Sequence, residues 1–370
     1  MAGRSVAIIG SRGYPSFYGG FETLVRRLAP HLADTGWDVA VYGRPGATVS
    51  RPEFDHPGVT SVTTRGIESK SLSTLSFGAT SVLHSMTRRK PDVALVLNVA
   101  NGYYLPGLRM RRIPTVVNVD GIEWERDKWS ALGKRVFRTG ALLTARFADI
   151  LVSDSVEIGG YWKHNFRRDS VFIPYGGDVP APLPAPEGLA SRSYALAVAR
   201  FVPENSIPEF LDAAALIAER HPVVIVGSSG HGGPLEERVT ALCAGNGDVR
   251  WLGHVSDDAK LFALWQHAGA YFHGHSVGGT NPALVQAMAC AAPTVARDTL
   301  FNREVLGEAA VFVAPEAGAI ASAMSELIES PARARTLADG AQRRAAESYA
   351  WENICAAYEN TLVDAIRRGG

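Results

Sequence analysis

Two acids stand immediately after short apolar runs in the first half of the chain. They are Asp120, in Val119-Asp120-Gly121-Ile122-Glu123-Trp124, and Asp154, in Val152-Ser153-Asp154-Ser155. A side chain just past the C-terminal end of a parallel strand faces the ligand crevice of a doubly wound sheet. A carboxylate there can orient or deprotonate a hydroxyl. Asp154 would serve equally as the N-cap of a helix beginning near Val156, and Asp120 as the group that orders its loop. Tyr175, in Ile173-Pro174-Tyr175-Gly176-Gly177, would reach the same crevice from a hinge, or simply pack half-buried.

The second half holds His273-Gly274-His275-Ser276-Val277-Gly278-Gly279-Thr280-Asn281-Pro282, followed by the apolar stretch Ala283–Ala289. Gly278, Gly279, the hydroxyl of Thr280, the amide of Asn281 and the start of a helix would form a cradle for a diphosphate, because backbone amides at a helix N-terminus attract anions. A plain strand–turn–helix junction has the same residues. His273 and His275 could share one face of a strand, but zinc needs at least three protein ligands and no third is near. No Asp-x-Asp occurs anywhere in the chain. No metal and no resident cofactor is therefore expected.

Near the N-terminus, Gly10-Ser11-Arg12-Gly13-Tyr14-Pro15 leads into Tyr18-Gly19-Gly20-Phe21-Glu22-Thr23. This Gly-rich loop between a strand and a helix is a second candidate for binding anions, through Gly13, Tyr18, Gly19, Gly20 and Glu22. It lacks the GxGxxG fingerprint, and the next strand ends in Gly43-Arg44 where a dinucleotide site would place an acid for the ribose. NAD binding is not expected.

These residues need elements to hold them. Val6–Ile9, Asp38–Tyr42, Val93–Leu97, Thr115–Val119 and Ile150–Ser153 read as buried parallel strands, with a helix from Glu22 to Thr35 between the first two. The pattern restarts with Tyr194–Ala199, Val223–Val226, Val249–Leu252, Ala270–His273, Pro293–Ala296 and Val311–Val313. The expected architecture is α/β, with two Rossmann-like, doubly wound domains facing across a cleft. Their expected bounds are 1–177 and 194–350. A Pro-, Ala- and Gly-rich linker spans 178–193, and an amphipathic C-terminal helix in 351–370 crosses back to the first domain.

With 370 residues, 46% hydrophobic and 20% charged, the chain has enough apolar surface for two cores. Lys+Arg and Asp+Glu both number 37, so nothing draws the whole molecule to nucleic acid. The charge is nonetheless uneven: residues 1–180 carry 23 basic against 16 acidic side chains. Arg88-Arg89-Lys90, Arg109, Arg111-Arg112 and Lys134-Arg135-Arg138 lie there beside apolar neighbours. They suit either a solvated helix face or peripheral contact with an anionic membrane. Three separated cysteines form no disulfide framework, and no signal peptide or span is visible, so a cytoplasmic protein is expected.

The stretches GSRGYPSFYGGFET, DGIEWERDKW, ARFVPEN and HGHSVGGTNPALVQAMAC followed by FNREVLG together resemble family-four GT-B glycosyltransferases. Within these, the similarity is to the bacterial branch that includes rhamnosyltransferases acting on lipid-diphosphate sugars. The resemblance implies a retaining, metal-independent transfer of a sugar, L-rhamnose from dTDP-rhamnose, to a lipid-diphosphate-linked acceptor in cell-surface polysaccharide synthesis. The leaving phosphate would help deprotonate the acceptor on the same face. It also implies donor contacts from Arg200, Asn205, His275, Gly278, Gly279, Thr280, Asn281 and Gln286. Relatives carry Glu at the positions of Gly278 and Gln286, the second of them on the nucleotide ribose. An uncharged Gln286 would accept a weaker hydrogen bond. Two other classes share this architecture: a sugar-nucleotide epimerase, and a catalytically silent nucleotide-sugar-binding protein.

Overall fold

A computed structural model describes residues 3–17, 19–48, 54–67, 73–126, 129–230 and 232–369. The chain forms two units, one of residues 1–175 with 351–370 and the other of residues 176–350. Tyr18, one of the expected loop residues, lies outside the described residues.

The first unit begins with β1 (Ser5–Ile9), α1 (Gly20–Asp34), β2 (Asp38–Gly43) and β3 (Val59–Thr63). It continues through α2 (Ser73–His84), β4 (Val93–Leu97), α3 (Leu105–Met110) and β5 (Thr115–Asn118). Then come α4 (Ala131–Phe147), β6 (Ile150–Ser153), α5 (Val156–Phe166) and β7 (Val171–Phe172). All seven strands are parallel, in the order β3-β2-β1-β4-β5-β6-β7. The five strands expected from apolar runs form the centre. The two unexpected ones, β3 and β7, are the edges. Their exposed residues have no second apolar face to announce them.

The second unit repeats the pattern with β8 (Ala195–Val198), α6 (Ile207–Ile217), β9 (Val223–Val226), α7 (Pro234–Gly245) and β10 (Val249–Trp251). After these come α8 (Asp258–His267), β11 (Ala270–His273), α9 (Pro282–Ala289), β12 (Thr294–Arg297), α10 (Leu300–Leu306) and β13 (Val311–Val313). The helices α11 (Ala317–Glu329) and α12 (Pro331–Ser348) complete it. Its six parallel strands run β10-β9-β8-β11-β12-β13. In both sheets the winding direction reverses beside the first strand, between β1 and β4 and between β8 and β11. Loops part at such a point and leave room for a ligand beyond the strand C-termini.

The last helix, α13 (Trp351–Gly369), belongs to the first unit. Trp351, Ile354, Cys355, Tyr358, Leu362 and Ala365 recur at helical spacing and are buried against α1 and the sheet. Glu359 fixes its register, accepting from Trp37 Nε1 at 3.0 Å and lying 3.1 Å from His31 Nε2.

Residues 178–193, read above as a linker, contain no helix or strand but are held within the second unit. Gln266 accepts from the Leu183 amide at 2.9 Å and donates to the Ala181 carbonyl at 3.0 Å. His267 lies 2.8 Å from both Ser191 Oγ and the Leu183 carbonyl. Side chains of α8 thus supply partners that a proline-rich segment cannot find in a ladder.

Candidate functional site

The acids of the first unit converge. Asp154 directly follows β6 and is 1% exposed, with Ser153 and Ser155 equally buried. It is not the helix cap: Ser155 holds that position on α5 and accepts from the Ile158 amide at 3.2 Å. Asp120, two residues past β5, lies close to the Asp154 side chain. Its Oδ2 accepts from the Tyr175 hydroxyl at 3.0 Å, and its backbone amide donates to Asn118 Oδ1 at 2.9 Å. Asn118 in turn donates from Nδ2 to the hydroxyl of Tyr358 at 2.6 Å, bringing α13 to the site.

Burial pushes the Asp120 carboxyl above the usual range; the Arg126 charge and the Tyr175 hydrogen bond pull it down, and Glu123 raises it. Asp154 lies beside it, so two buried carboxyl groups share this end of the sheet. Tyr175 is driven well above its ordinary value by burial and then by the negative charges of Asp120 and Asp154. It therefore remains a hydrogen-bond donor. Glu123 is engaged elsewhere, by Arg126 Nε at 3.1 Å and Trp129 Nε1 at 2.9 Å.

The Gly-rich loop leaves β1 and enters α1 through Gly19, whose position has no side-chain cap. Glu22 is buried in the first turn of the helix, and its Oε1 accepts from the Arg12 amide at 3.0 Å. The charge that a helix N-terminus favours is here the protein's own carboxylate. Gly13 passes the end of β2, its Cβ position 3.3 Å from Gly43 Cα.

In the second unit, Arg200, Asn205 and His275 meet beyond the β8/β11 reversal. Asn205 donates from Nδ2 to the Arg200 carbonyl at 2.9 Å, and its Oδ1 lies 2.7 Å from His275 Nδ1. The Arg200 residue is exposed. Ser276 is held to the Glu204 carbonyl by its amide at 2.9 Å and its hydroxyl at 3.0 Å. His273 turns Nδ1 to the Tyr271 hydroxyl at 3.1 Å, and burial, helped by His275, lowers its pKa to about 3. It is a neutral imidazole. Among the described residues, no group of three or more His, Cys, Asp or Glu is placed to hold a metal ion.

The chain then turns through Gly278 at φ +98°, a left-handed conformation that suits glycine. Gly279 and Thr280 are buried and Asn281 caps α9. The first-turn donors of α9 are already engaged: Pro282 has none, Ala283 donates to Asn281 Oδ1, and Leu284 and Val285 donate to the Asn281 carbonyl. An anion here would meet the amides of the turn rather than those of the helix. Gln286, expected on a ribose, bonds to the backbone of residue 178.

Residues 3–178 match a family described as a domain of unknown function, DUF1972. Residues 185–344 match the family described as Glycosyl transferases group 1. The second unit thus matches that family over most of its length, and the two Rossmann-like parallel sheets make the fold GT-B. A curated relative is the MMP alpha-(1->4)-mannosyltransferase of Mycolicibacterium hassiacum, 28% identical over 202 residues, which are 53% of this chain and 48% of the relative. The match thus spans about half of that protein's length. Among solved structures, the sucrose-phosphate synthase of Thermosynechococcus elongatus superposes with TM-score 0.78 at 18% identity, covering 99% of this chain and 100% of that one. Anabaena HepE in complex with UDP-glucose gives 0.75 at 18% identity, covering 98% and 99%.

The second unit contains further polar residues that the sequence did not single out. Arg297, at the end of β12, donates to Ser206 Oγ at 2.9 Å, and Ser206 donates to the Gly274 carbonyl at 2.9 Å. Asn302 Nδ2 donates to the carbonyls of His275, at 3.0 Å, and Arg297, at 2.8 Å. These groups fix the backbone of the turn from behind. In the other unit, Asn118 and Tyr358 were equally unmarked. Their pairing joins residues 240 positions apart, and neither lies in a motif.

Proposed function

We propose that the chain is a retaining, metal-independent glycosyltransferase using a nucleoside diphosphate sugar. The donor diphosphate is held by the amides of Gly278 and Gly279 with Thr280 and Arg200. The acceptor hydroxyl is oriented by Asp120 and Asp154. In the transfer, the acceptor oxygen bonds to the anomeric carbon while the bond from that carbon to the diphosphate oxygen breaks. The acceptor proton leaves with the diphosphate, and nothing is oxidised or reduced. Backbone amides and Arg stabilise the departing charge.

The observation that carries this reading is the buried Asp120–Asp154 pair held by Tyr175. A carboxylate of this pair accepts a hydrogen bond from a hydroxyl without requiring a metal. The specific donor is dTDP-L-rhamnose and the acceptor a lipid-diphosphate-linked sugar, a reading supported by the first-unit motifs quoted above. UDP and UDP-glucose are the ligands bound to Anabaena HepE, so a nucleoside diphosphate sugar suits the same fold. The test is a thermal-shift panel of dTDP, UDP and GDP and their sugars, because a bound ligand stabilises by mass action. The largest shift is expected with the dTDP compounds; a flat panel would remove the donor site.

A specific feature of α4 favours attachment to anionic membrane. Leu132, Arg135, Thr139, Leu142 and Arg146 recur at spacings of three and four and are all exposed, Leu132 to 71% and Leu142 to 55%. Met110 is 84% exposed amid Arg109, Arg111 and Arg112 on and after α3, which packs on α4. Leucine and methionine among arginines suit the boundary between headgroups and acyl chains. Arg89, in the third basic cluster, is paired with Asp38 at 2.6 Å and is less available. No helix among the described residues is long and apolar enough to cross a membrane.

A further inference from the structure

Gln286 points its amide at a peptide. Its Oε1 accepts from the Asp178 amide at 3.0 Å, and its Nε2 donates to the Asp178 carbonyl at 2.7 Å. A second, longer contact runs from Nε2 to Cys290 Sγ at 3.5 Å, one turn along α9. The neighbouring residue is held as closely. A Cβ at Gly177 would lie 3.0 Å from both Val285 Cγ1 and the Val285 carbonyl oxygen, so a side chain there would press on α9. The Gly177 amide donates to the Tyr349 carbonyl at 2.9 Å, and Gly177 bridges to Ala350 in parallel. The chain enters the second unit at 176 and leaves it at 350. Both passages are therefore sewn together beside α9.

The two-point contact needs a side chain that accepts and donates at once. Glutamine does both; a carboxylate only accepts. Glu at this position could take the Asp178 amide, but its other oxygen would face the Asp178 carbonyl, two acceptors with no hydrogen between them. The Gln is therefore matched to this peptide, not a weakened form of a charged ligand.

We propose that Gln286 is a positioning residue that fixes residue 178, and with it the chain continuing from Tyr175, and that it does not bind the nucleotide. Two residues, Gly176 and Gly177, separate the clamp from the tyrosine that donates to Asp120. Releasing residue 178 loosens the segment that presents that hydroxyl and leaves the turn at Gly278–Asn281 in place. The effect on turnover rests on the transfer reading above; the clamp itself does not.

The experiment compares Gln286→Ala and Gln286→Glu with the full-length protein. Amide hydrogen exchange at Asp178, titration with dTDP and UDP, and steady-state kinetics are measured on each. Exchange at Asp178 is expected to rise at least about tenfold in Gln286→Ala, in line with loss of about 1.4 kcal/mol of hydrogen bonding, and less in Gln286→Glu, whose carboxylate still accepts from the Asp178 amide. Nucleotide Kd should stay within about threefold, and kcat should fall with donor KM unchanged. Gln286→Glu should be no better than Gln286→Ala in nucleotide affinity. A Glu variant that binds nucleotide more tightly would overturn the proposal, since a charged acceptor strengthens a bond to a ribose hydroxyl. So would unchanged exchange at Asp178. If the wild-type protein binds no nucleotide, the transfer reading fails and the exchange measurement alone decides the clamp.

Discussion

Tyr175 donates its hydroxyl hydrogen to Oδ2 of Asp120 across 3.0 Å. The tyrosine is the last residue of the first unit before the chain passes into the second, and the aspartate lies just past β5. Because burial and the neighbouring acids keep the phenol protonated, the bond persists through the whole working pH range and favours the ionised form of Asp120. Tyr175→Phe removes that support. The Asp120 carboxyl then rises further, so the acid limb of the pH–rate profile should move to higher pH, with turnover down about tenfold for one lost hydrogen bond to a charge. A profile with an unmoved acid limb would detach Tyr175 from the chemistry.

Asp154→Asn keeps the shape of the carboxyl and loses its charge. Because Ser155 caps α5, thermal stability should hardly depend on a capping role for residue 154. Turnover should fall about 10²-fold or more with nucleotide affinity unchanged, because the acceptor hydroxyl loses the charged group that orients it. The comparison of melting curves with single-turnover rates checks both halves. Full activity would pass the role to Asp120.

The acid site shows how far a sequence can be read. Asp120 and Asp154 were visible because each follows a β-branched run, and that position alone puts a side chain at the strand C-termini. Their contact was not visible, since it depends on β5 and β6 being neighbours in the sheet. Tyr358 carried no signal at all: it reads as one more apolar-face residue of an amphipathic helix, and only the packing of α13 brings its hydroxyl to Asn118. The central strands were legible as continuous apolar runs, whereas β3 and β7, exposed at the edges, were not. Gln286 has a partner that its neighbours in sequence did not show, a peptide 108 positions away.

His273 gives the second unit an acid sensitivity. Its pKa falls from 6.5 to about 3 on folding, chiefly by burial. Between those values the unfolded chain binds a proton that the native imidazole refuses, so stability is complete above about pH 6.5 and declines as pH falls. The loss approaches about 2 kcal/mol by pH 5, at about 1.4 kcal/mol per unit. Denaturant melts of the wild type and His273→Gln at pH 7 and pH 5 should show the pH difference shrink in the variant. An equal difference would place the sensitivity elsewhere.

Gly278 occupies φ +98°, where a β-branched residue is strained by about 1–3 kcal/mol. Gly278→Val should displace the amides of the turn and abolish the thermal shift given by nucleoside diphosphates, while circular dichroism stays native. A retained shift would move the diphosphate away from this turn.

The α4 stripe predicts binding to vesicles containing anionic lipid that weakens as salt shortens the Debye length. Arg135→Glu with Arg146→Glu should release the protein from phosphatidylserine vesicles, and Leu132→Ser with Leu142→Ser should reduce binding further. Sedimentation with neutral vesicles to the same extent would remove the electrostatic contribution.

The central claim, sugar transfer oriented by the acid pair, is tested most directly by product analysis. The wild-type protein and Asp154→Asn would be incubated with radiolabelled dTDP-L-rhamnose, with and without a lipid-diphosphate-linked sugar acceptor. The account predicts a labelled glycolipid from the wild type only when acceptor is present, retention of anomeric configuration, and product at least about 10²-fold slower from the variant. A changed sugar nucleotide formed without acceptor would make the protein an epimerase. Tight donor binding with no product from any acceptor would make it a silent binder, and either result would contradict the account.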